Sequence, residues 1–316
     1  MECKLSKISF YPLLLSLAVL SFMEPANSQE ISLEELPPWR ETAEDKQFAK
    51  TNRKQDAHLL QFVLKGGTRV AVVVARLASV KVEPVLAGSR TEPTSLLAAK
   101  HQALAAINGG YFNLSNGESA SFVSCRNKLV ADPRLNKALV ENPHLKAFLP
   151  QIFARSELRL GRDSEGKIVA EIAGHNEKLK AGTTLLASLQ AGPRLLPEIN
   201  ARQEAFLRQE AENKEIDSIG VNRTAARAAV GLTADGYIML VAVAGKGQDE
   251  FSSGLSLSEL ATVLKRLGAS SALNLDGGTS TTLVGCISGN NYKMLIGRNP
   301  ETRVRSALTI MPVNSN

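Results

Sequence analysis

Residues 273–283 read Leu-Asn-Leu-Asp-Gly-Gly-Thr-Ser-Thr-Thr-Leu, so that an apolar run delivers an acid, two glycines and four hydroxyls before turning apolar again. A carboxylate at a strand end can be held rigidly by the sheet behind it. Glycine permits left-handed backbone and close approach of a ligand. Successive amides and hydroxyls can then cup an oxyanion. The competing reading is a hairpin turn, because Asp-Gly favours type I′ geometry.

Three other segments share this form: Asn108-Gly-Gly-Tyr-Phe112, Gln190-Ala-Gly-Pro-Arg194 and Arg227-Ala-Ala-Val-Gly231. Each sets a polar side chain beside glycine at a predicted strand end. One alone is a turn. Four in one chain suggest polar strand tips converging on a cleft, which is how many ligand sites are built.

The elements that must position these tips follow from periodicity and punctuation. His58 to Leu64 and Arg69 to Leu77 read as strands about a Gly66-Gly67 turn, with Val70, Val72, Val73 and Val74 marking a strand buried on both faces. Glu92 to His101 reads as a short helix, and Ala103 to Ile107 as the strand that delivers Asn108. A strand pair is expected at Leu158 to Leu160 and Lys167 to Ile172, and another strand at Thr183 to Gln190. Ala228 to Leu232 and Tyr237 to Ala244 form a hairpin about Ala234-Asp235-Gly236. Ser256-Leu-Ser-Glu259 has capping-box form, Leu257, Leu260, Ala261, Leu264 and Leu267 share one helical face, and Gly268 ends the helix. The expected fold is α+β, a mixed β-sheet core with covering helices in a single domain over residues 57–316. Helical insertions are expected near 131–150 and 198–215, the second from its polar, helix-forming composition.

Ahead of this domain, Lys4 and Lys7 precede an apolar run from Ile8 to Met23, with small residues at Ala26-Asn27-Ser28. That is the form of a cleaved signal peptide over residues 1–28, and the run is short for a bilayer span. The mature chain then begins near Gln29, is exported without a stable membrane anchor, and carries a charged tail or strap over 29–56. The net charge of +6 survives cleavage and forms no dense basic block. It suits anionic partners such as phosphate-bearing glycans rather than nucleic acid, and the 5% aromatic content argues against a base-stacking platform. Cys125 and Cys286 form one disulfide or remain buried thiols. His58, His101, His144 and His175 lack ligand spacing. No cofactor is expected: Asp276 and Asn108 are oxygen donors, but no loop has the carboxylate density of a dedicated cation site. Gly245-Lys246-Gly247 lacks P-loop spacing.

Ile107-Asn-Gly-Gly-Tyr-Phe112, Gln190-Ala-Gly-Pro-Arg-Leu195, Arg227-Ala-Ala-Val-Gly231 before Asp235-Gly236, Leu255 to Leu260, Asn274 to Thr282 and Arg303-Val-Arg-Ser-Ala-Leu308 occur in one order. In that order the chain resembles the phosphodiester glycosidase family over about Leu59 to Pro312. It departs from the family pattern at Thr279, where glycine is common, at Arg305-Ser306, and at Ala228, where threonine is common.

The resemblance implies hydrolysis of the C1–O bond of a sugar-1-phosphodiester. Such chemistry needs a carboxylate beside an oxocarbenium-like transition state, as nucleophile or as base for water, and Asp276 is the candidate. Phosphate is a good leaving group, so a cationic clamp matters more than an acid. Arg227 is the first candidate for the clamp, with Arg194 and Arg303 behind it. Alternatively, Arg227 is an ion-pair partner that positions the Asp276 turn. Glu118 is the expected second carboxylate. Asn108, Gly109, Gly110, Tyr111 and Asn274 would line the sugar site, and Gly277, Gly278, Thr279 and Ser280 would hold oxygens. The alternative function is a non-catalytic glycan- or phosphoglycan-binding module in envelope or exopolysaccharide assembly.

Overall fold

Val72, Val73 and Val74 are fully enclosed, so the strand Thr68–Arg76 has packing on both of its faces. A computed structural model describes residues 21–22, 30–39, 57–88, 90–210, 214–244, 254–288 and 291–313. Thr68–Arg76 lies inside a seven-stranded sheet ordered Ser21–Phe22, Ala57–Leu64, Thr68–Arg76, Tyr237–Ala244, Arg227–Thr233, Ala269–Asn274 and Arg194–Leu196. A five-stranded sheet runs Asn291–Ile296, Leu283–Ser288, Ala105–Asn108, Ser306–Pro312 and Val80–Leu86. Another runs Ile168–Gly174, Ser156–Arg162, Thr184–Gln190, Val123–Cys125 and Lys128–Ala131. One apolar core joins all three, with Val73, Ile107, Leu158, Leu189, Val230, Leu273 and Leu308 in contact across it.

Among the described residues strand accounts for 45% and helix for 15%, so β structure dominates. A sheet core in a single fold is present as expected. The pairing is antiparallel throughout these sheets except for Ser21–Phe22 on Ala57–Leu64, so the seven-stranded sheet is mixed only at that edge. The reason is topological. Tyr237–Ala244 and Ala269–Asn274 do run the same way across their connecting helix, but Arg227–Thr233 slots between them.

Two helices cover the sheets among the described residues: Thr94–Lys100, the short helix expected there, packs Leu97 and Ala98 on the five-stranded sheet beside Val85, Ala106, Val284 and Ala307, and the ten-residue Leu257–Arg266 covers the seven-stranded one. The capping box of the longer helix is formed, with the Ser256 hydroxyl accepting from the Glu259 amide and the Glu259 carboxylate accepting from the Ser256 amide. Leu257, Leu260 and Leu264 pack on the second face of the seven-stranded sheet, against Val72, Met239 and Phe206 among others. Each leucine so buried stabilises the pair of layers by roughly 2 kcal/mol.

The two helical insertions differ from expectation. The first is broken into short turns, Lys137–Val140 and Leu149–Phe153, with 3-10 turns at Pro133–Leu135 and Lys146–Phe148. Pro133, Pro143 and Pro150 prevent one continuous helix there. The second is not helical in its described part. Leu207–Gln209 pairs antiparallel with Glu215–Asp217, and Phe206 is buried. Its helix-forming composition yields to the anchoring of Phe206 in the core.

Residues 30–39 run along the seven-stranded sheet from the Leu64 end of its strands to the Tyr237 end. Ile31 bridges Leu64, the Trp39 amide donates to the Leu267 carbonyl at 3.2 Å, and the Trp39 ring packs edge-on against Tyr237. Thr233 and Ala269 pair near the Tyr237 end, while Asn274 lies at the other. The remainder of the expected signal and tail, and Gly245 to Gly247, lie outside the described residues. Cys125 and Cys286 are thiols and are not joined in a disulfide.

Candidate active site

The strand Ala105–Asn108 of one sheet and the strand Ala269–Asn274 of another end side by side. Their tips are stitched by the Asp276 amide donating to the Gly109 carbonyl at 3.0 Å. The Gly109 amide donates in turn to the Ser306 carbonyl at 2.8 Å, which brings in a third strand. A Cβ on Gly109 would overlap Ser306, and one on Gly110 would overlap the Gln190 carbonyl and Ser121. The glycine pair therefore serves close packing of the protein's own backbone, not approach of a ligand.

Asn108 is fully buried and binds both arms of the loop. Its Nδ2 donates to the Asp276 carbonyl at 2.6 Å, and its Oδ1 accepts from the Thr282 amide at 3.0 Å. Asn274 sits on the next strand. Its Nδ2 contacts the Tyr111 hydroxyl oxygen (2.9 Å) and the carbonyls of Gly192 (3.0 Å) and Leu275 (2.8 Å). The Tyr111 hydroxyl donates to the Gly192 carbonyl at 2.8 Å. Gly192 has φ +107°, and a Cβ there would overlap Glu204. Three of the four sequence segments thus meet within one hydrogen-bond network.

Asp276 stands at its centre, partly open to solvent. Burial pushes its carboxyl up to about 7, against opposing hydrogen bonds from the Ser280 hydroxyl and the Gly277 amide. Tyr111 is pushed further up by burial and by the Asp276 charge, so its hydroxyl stays protonated. The Asn274 Oδ1 and the Thr281 and Thr282 hydroxyls are buried without a hydrogen-bond partner, a concentration of unsatisfied polar atoms on one loop.

The fourth segment arrives differently. Arg227 is 2% exposed and makes no ion pair with Asp276 among the described residues. Its Nε donates to the Leu255 carbonyl at 2.9 Å, its Nη1 to Ile219 at 2.9 Å, and its Nη2 to the carbonyls of Gly220 and Arg223. Four of its five N–H groups are thus spent on backbone. Desolvation lowers its pKa. The amides of the glycine loop are spent as well. That of Gly277 turns to the Asp276 carboxylate, and that of Gly278 donates to the Ala226 carbonyl at 2.8 Å. Ser280 is buried, whereas Thr279 is exposed.

The other candidates lie apart. Glu118 is exposed and accepts from the Asn116 carboxamide in a surface turn. Arg303 is exposed and donates to the Thr91 carbonyl. The Arg194 guanidinium faces the Asn200 side chain, whose carboxamide oxygen accepts from Nη2 at 2.7 Å.

Two residues not expected from the sequence join the network. Arg155 is buried, stacks 3.7 Å over the Phe206 ring, faces Tyr111 at 5.9 Å, and donates to the Glu204 carbonyl at 2.9 Å. Burial lowers its pKa to about 10. Glu204 accepts from the Ser156 hydroxyl (2.8 Å) and the Arg194 amide (3.0 Å), and burial raises its pKa. Arg155-Ser-Glu157 at the head of an apolar strand was the one signal available; Glu204 had none, lying in a segment that reads as exposed helix.

Among the described residues no group of three or more His, Cys, Asp and Glu side chains could hold a metal ion, and no helix is long and apolar enough to cross a membrane.

No curated protein matches the chain. Solved structures do. The catalytic domain of zebrafish N-acetylglucosamine-1-phosphodiester alpha-N-acetylglucosaminidase, auto-inhibited by its pro-peptide, superposes with a TM-score of 0.55 at 20% identity, covering 81% of this chain and 82% of that one. A candidate exported protein from Burkholderia pseudomallei gives 0.56 at 18%, covering 85% and 80%. A hypothetical protein from Synechocystis gives 0.53 at 18%, covering 81% of this chain, which spans 61% of that protein's length. At such identities these likenesses establish the fold alone. The family profile of the phosphodiester glycosidases, however, matches residues 101–311, more than half of the chain and the stretch that holds all four strand tips. The chain belongs to the phosphodiester glycosidase family.

Proposed function

We propose that the protein hydrolyses the C1–O bond of a sugar-1-phosphodiester in envelope or extracellular glycans, with Asp276 as the carboxylate that attacks C1 or activates water. The observation that carries this reading is Asp276 itself: a carboxyl at a strand tip, raised to about 7, gripped by Ser280 and Gly277 and backed by Asn108, Tyr111 and Asn274. A carboxylate poised near neutrality retains basicity while still ionising at working pH. Its ionised form stabilises positive charge at C1 as the phosphate departs.

Arg227 contributes chiefly as a positioning residue and a fixed positive charge behind the loop. It holds 219–223 and Leu255 against Ala226, whose carbonyl anchors Gly278. Its one remaining N–H is what it can offer to phosphate directly. Glu118, Arg194 and Arg303 enter only if substrate extends from the network toward them. Export fits the basic, apolar and small-residue succession of residues 1–28.

A second reading has a specific observation in its favour. The Gly277 and Gly278 amides and most of the Arg227 guanidinium are already bonded internally, which leaves fewer donors for a transition-state phosphate. A non-catalytic phosphoglycan-binding module needs fewer. A release assay over a panel of sugar-1-phosphodiesters separates the two: free sugar from wild type and none from Asp276→Asn supports hydrolysis. Binding without release by wild type establishes the binding module.

A further inference from the structure

The two segments that interrupt the family core, around 137–153 and 198–217, come together on the surface. Phe148 and Gln151 of the first and Arg202, Ala205, Arg208 and Gln209 of the second line an open pocket of about 400 Å³. Two features mark this pocket as more than an accidental hollow. Ala205 holds φ +55°, a left-handed conformation that costs a non-glycine residue of the order of 1 kcal/mol and clusters at functional positions. The Arg208 Nε is buried without a hydrogen-bond partner. A buried donor left unmatched costs free energy, and a turn of the Arg208 side chain toward a ligand's acceptor would remove that cost.

The chemistry of the lining selects the ligand class. Each guanidinium already has a counter-charge, Arg202 with Glu215, and Arg208 with Glu210 at 3.2 Å. The pocket therefore offers directional N–H groups and carboxamides with little net charge, which disfavours a free phosphate. The Phe148 ring, 5.6 Å from the Arg208 guanidinium, supplies an apolar wall beside them. An apolar face rimmed by planar hydrogen-bonding groups matches a pyranose ring, which has C–H faces and a rim of hydroxyls. The segment that lines this pocket also packs against the candidate active site. Phe206 follows Ala205 in sequence, and its ring lies 5.4 Å from Tyr111.

We infer that this pocket is a second saccharide-binding subsite, for a neutral hexose or N-acetylhexosamine unit of the glycan whose phosphodiester is handled at Asp276. The inference takes from the proposed function only that the ligand is a glycan, so it is tested without any phosphodiester. Mannotriose and chitotriose are titrated separately into ¹⁵N-labelled protein, with methyl phosphate as the anionic control. At least one trisaccharide is expected to shift the Arg208 Nε–Hε and Gln209 amide resonances saturably, with a dissociation constant of about 1 mM or tighter. Phe148→Ala is expected to weaken that binding by roughly tenfold with unchanged thermal unfolding. If Phe148→Ala does not fold, the exposed Gln151→Ala serves instead and is expected to weaken it by about threefold. Absence of saturable shifts with both sugars overturns the inference, as does a response to methyl phosphate alone, or binding that both variants leave unchanged. Sugar release from phosphodiesters is scored independently, so loss of the hydrolase reading with trisaccharide binding intact, or the reverse, identifies which of the two has failed.

Discussion

The Asn108 carboxamide donates to the Asp276 main-chain carbonyl at 2.6 Å while its own oxygen accepts from the Thr282 amide at 3.0 Å. One enclosed side chain thus spans both sides of the loop that presents the acid. Asn108→Ala leaves a carbonyl and an amide unmatched in a dry interior. The expected loss is about 2 to 4 kcal/mol, read by urea unfolding. Asn108→Asp keeps the acceptor but not the donor, and should lose a comparable amount. A loss under half a kcal/mol for both would remove Asn108 as the organiser of the loop.

Asp276 makes pH a direct probe. Its carboxyl holds a proton more tightly in the folded chain, at about 7, than in the unfolded chain, at its ordinary value of 3.8. The native state therefore binds more protons between these values, and stability falls as pH rises from about 4 to about 7, then levels. Asp276→Asn should abolish that decline and gain on the order of 2 kcal/mol at pH 8, measured by denaturation across the range. In the hydrolase reading, wild-type kcat/KM should rise through an apparent pKa near 7, and Asp276→Asn should fall by about 10³-fold or more. A flat profile with full activity in the variant would assign the chemistry elsewhere.

Arg227 is bonded to four carbonyls from two separate stretches, 219–223 and Leu255. Arg227→Lys cannot reproduce that fan, because an ammonium is a point donor on a flexible stem. It should cost about 3 kcal/mol and accelerate amide exchange at 219–223 and 254–256. Unchanged exchange with selectively raised KM would instead return Arg227 to a direct phosphate contact.

The glycines should separate by cause. Gly110→Ala places a methyl into the Gln190 carbonyl and Ser121, neither of which is a mobile tip, and should cost 3 kcal/mol or more by order of magnitude. Gly278 has φ +58° and open space about it, so Gly278→Ala should cost only about 1 kcal/mol. Thermal unfolding of the two variants decides it.

The thiols offer a check on the fold. The Cys125 thiol donates to the Pro84 carbonyl at 2.7 Å, and burial pushes it up to about 11; Cys286 is buried and also raised. Both should resist a thiol reagent at pH 8 and react together on unfolding. Rapid labelling of either in native protein would contradict their placement.

What local sequence determined here is local in cause. Valine content set Thr68–Arg76, the Asp235-Gly236 turn set the hairpin of Arg227–Thr233 with Tyr237–Ala244, and the Ser256–Glu259 box with Gly268 set both ends of the helix Leu257–Arg266. Each depends on residues within a few positions of one another. The strand tips Asn108, Gly192, Asn274 and Asp276 were legible for the same reason, as polar groups beside glycine at the end of an apolar run. Tertiary structure alone decided what those groups spend their hydrogen bonds on. Arg227 and the Gly277 and Gly278 amides look free along the chain, yet carbonyls contributed by distant segments consume most of them. It also paired Leu207–Gln209 with Glu215–Asp217 where composition reads as helix and drew Arg155 and Glu204 inward, because burying Phe206 outweighs a few tenths of a kcal/mol per residue of helix propensity. Donor direction and burial depend on partners a hundred residues away, and no short-range pattern encodes them.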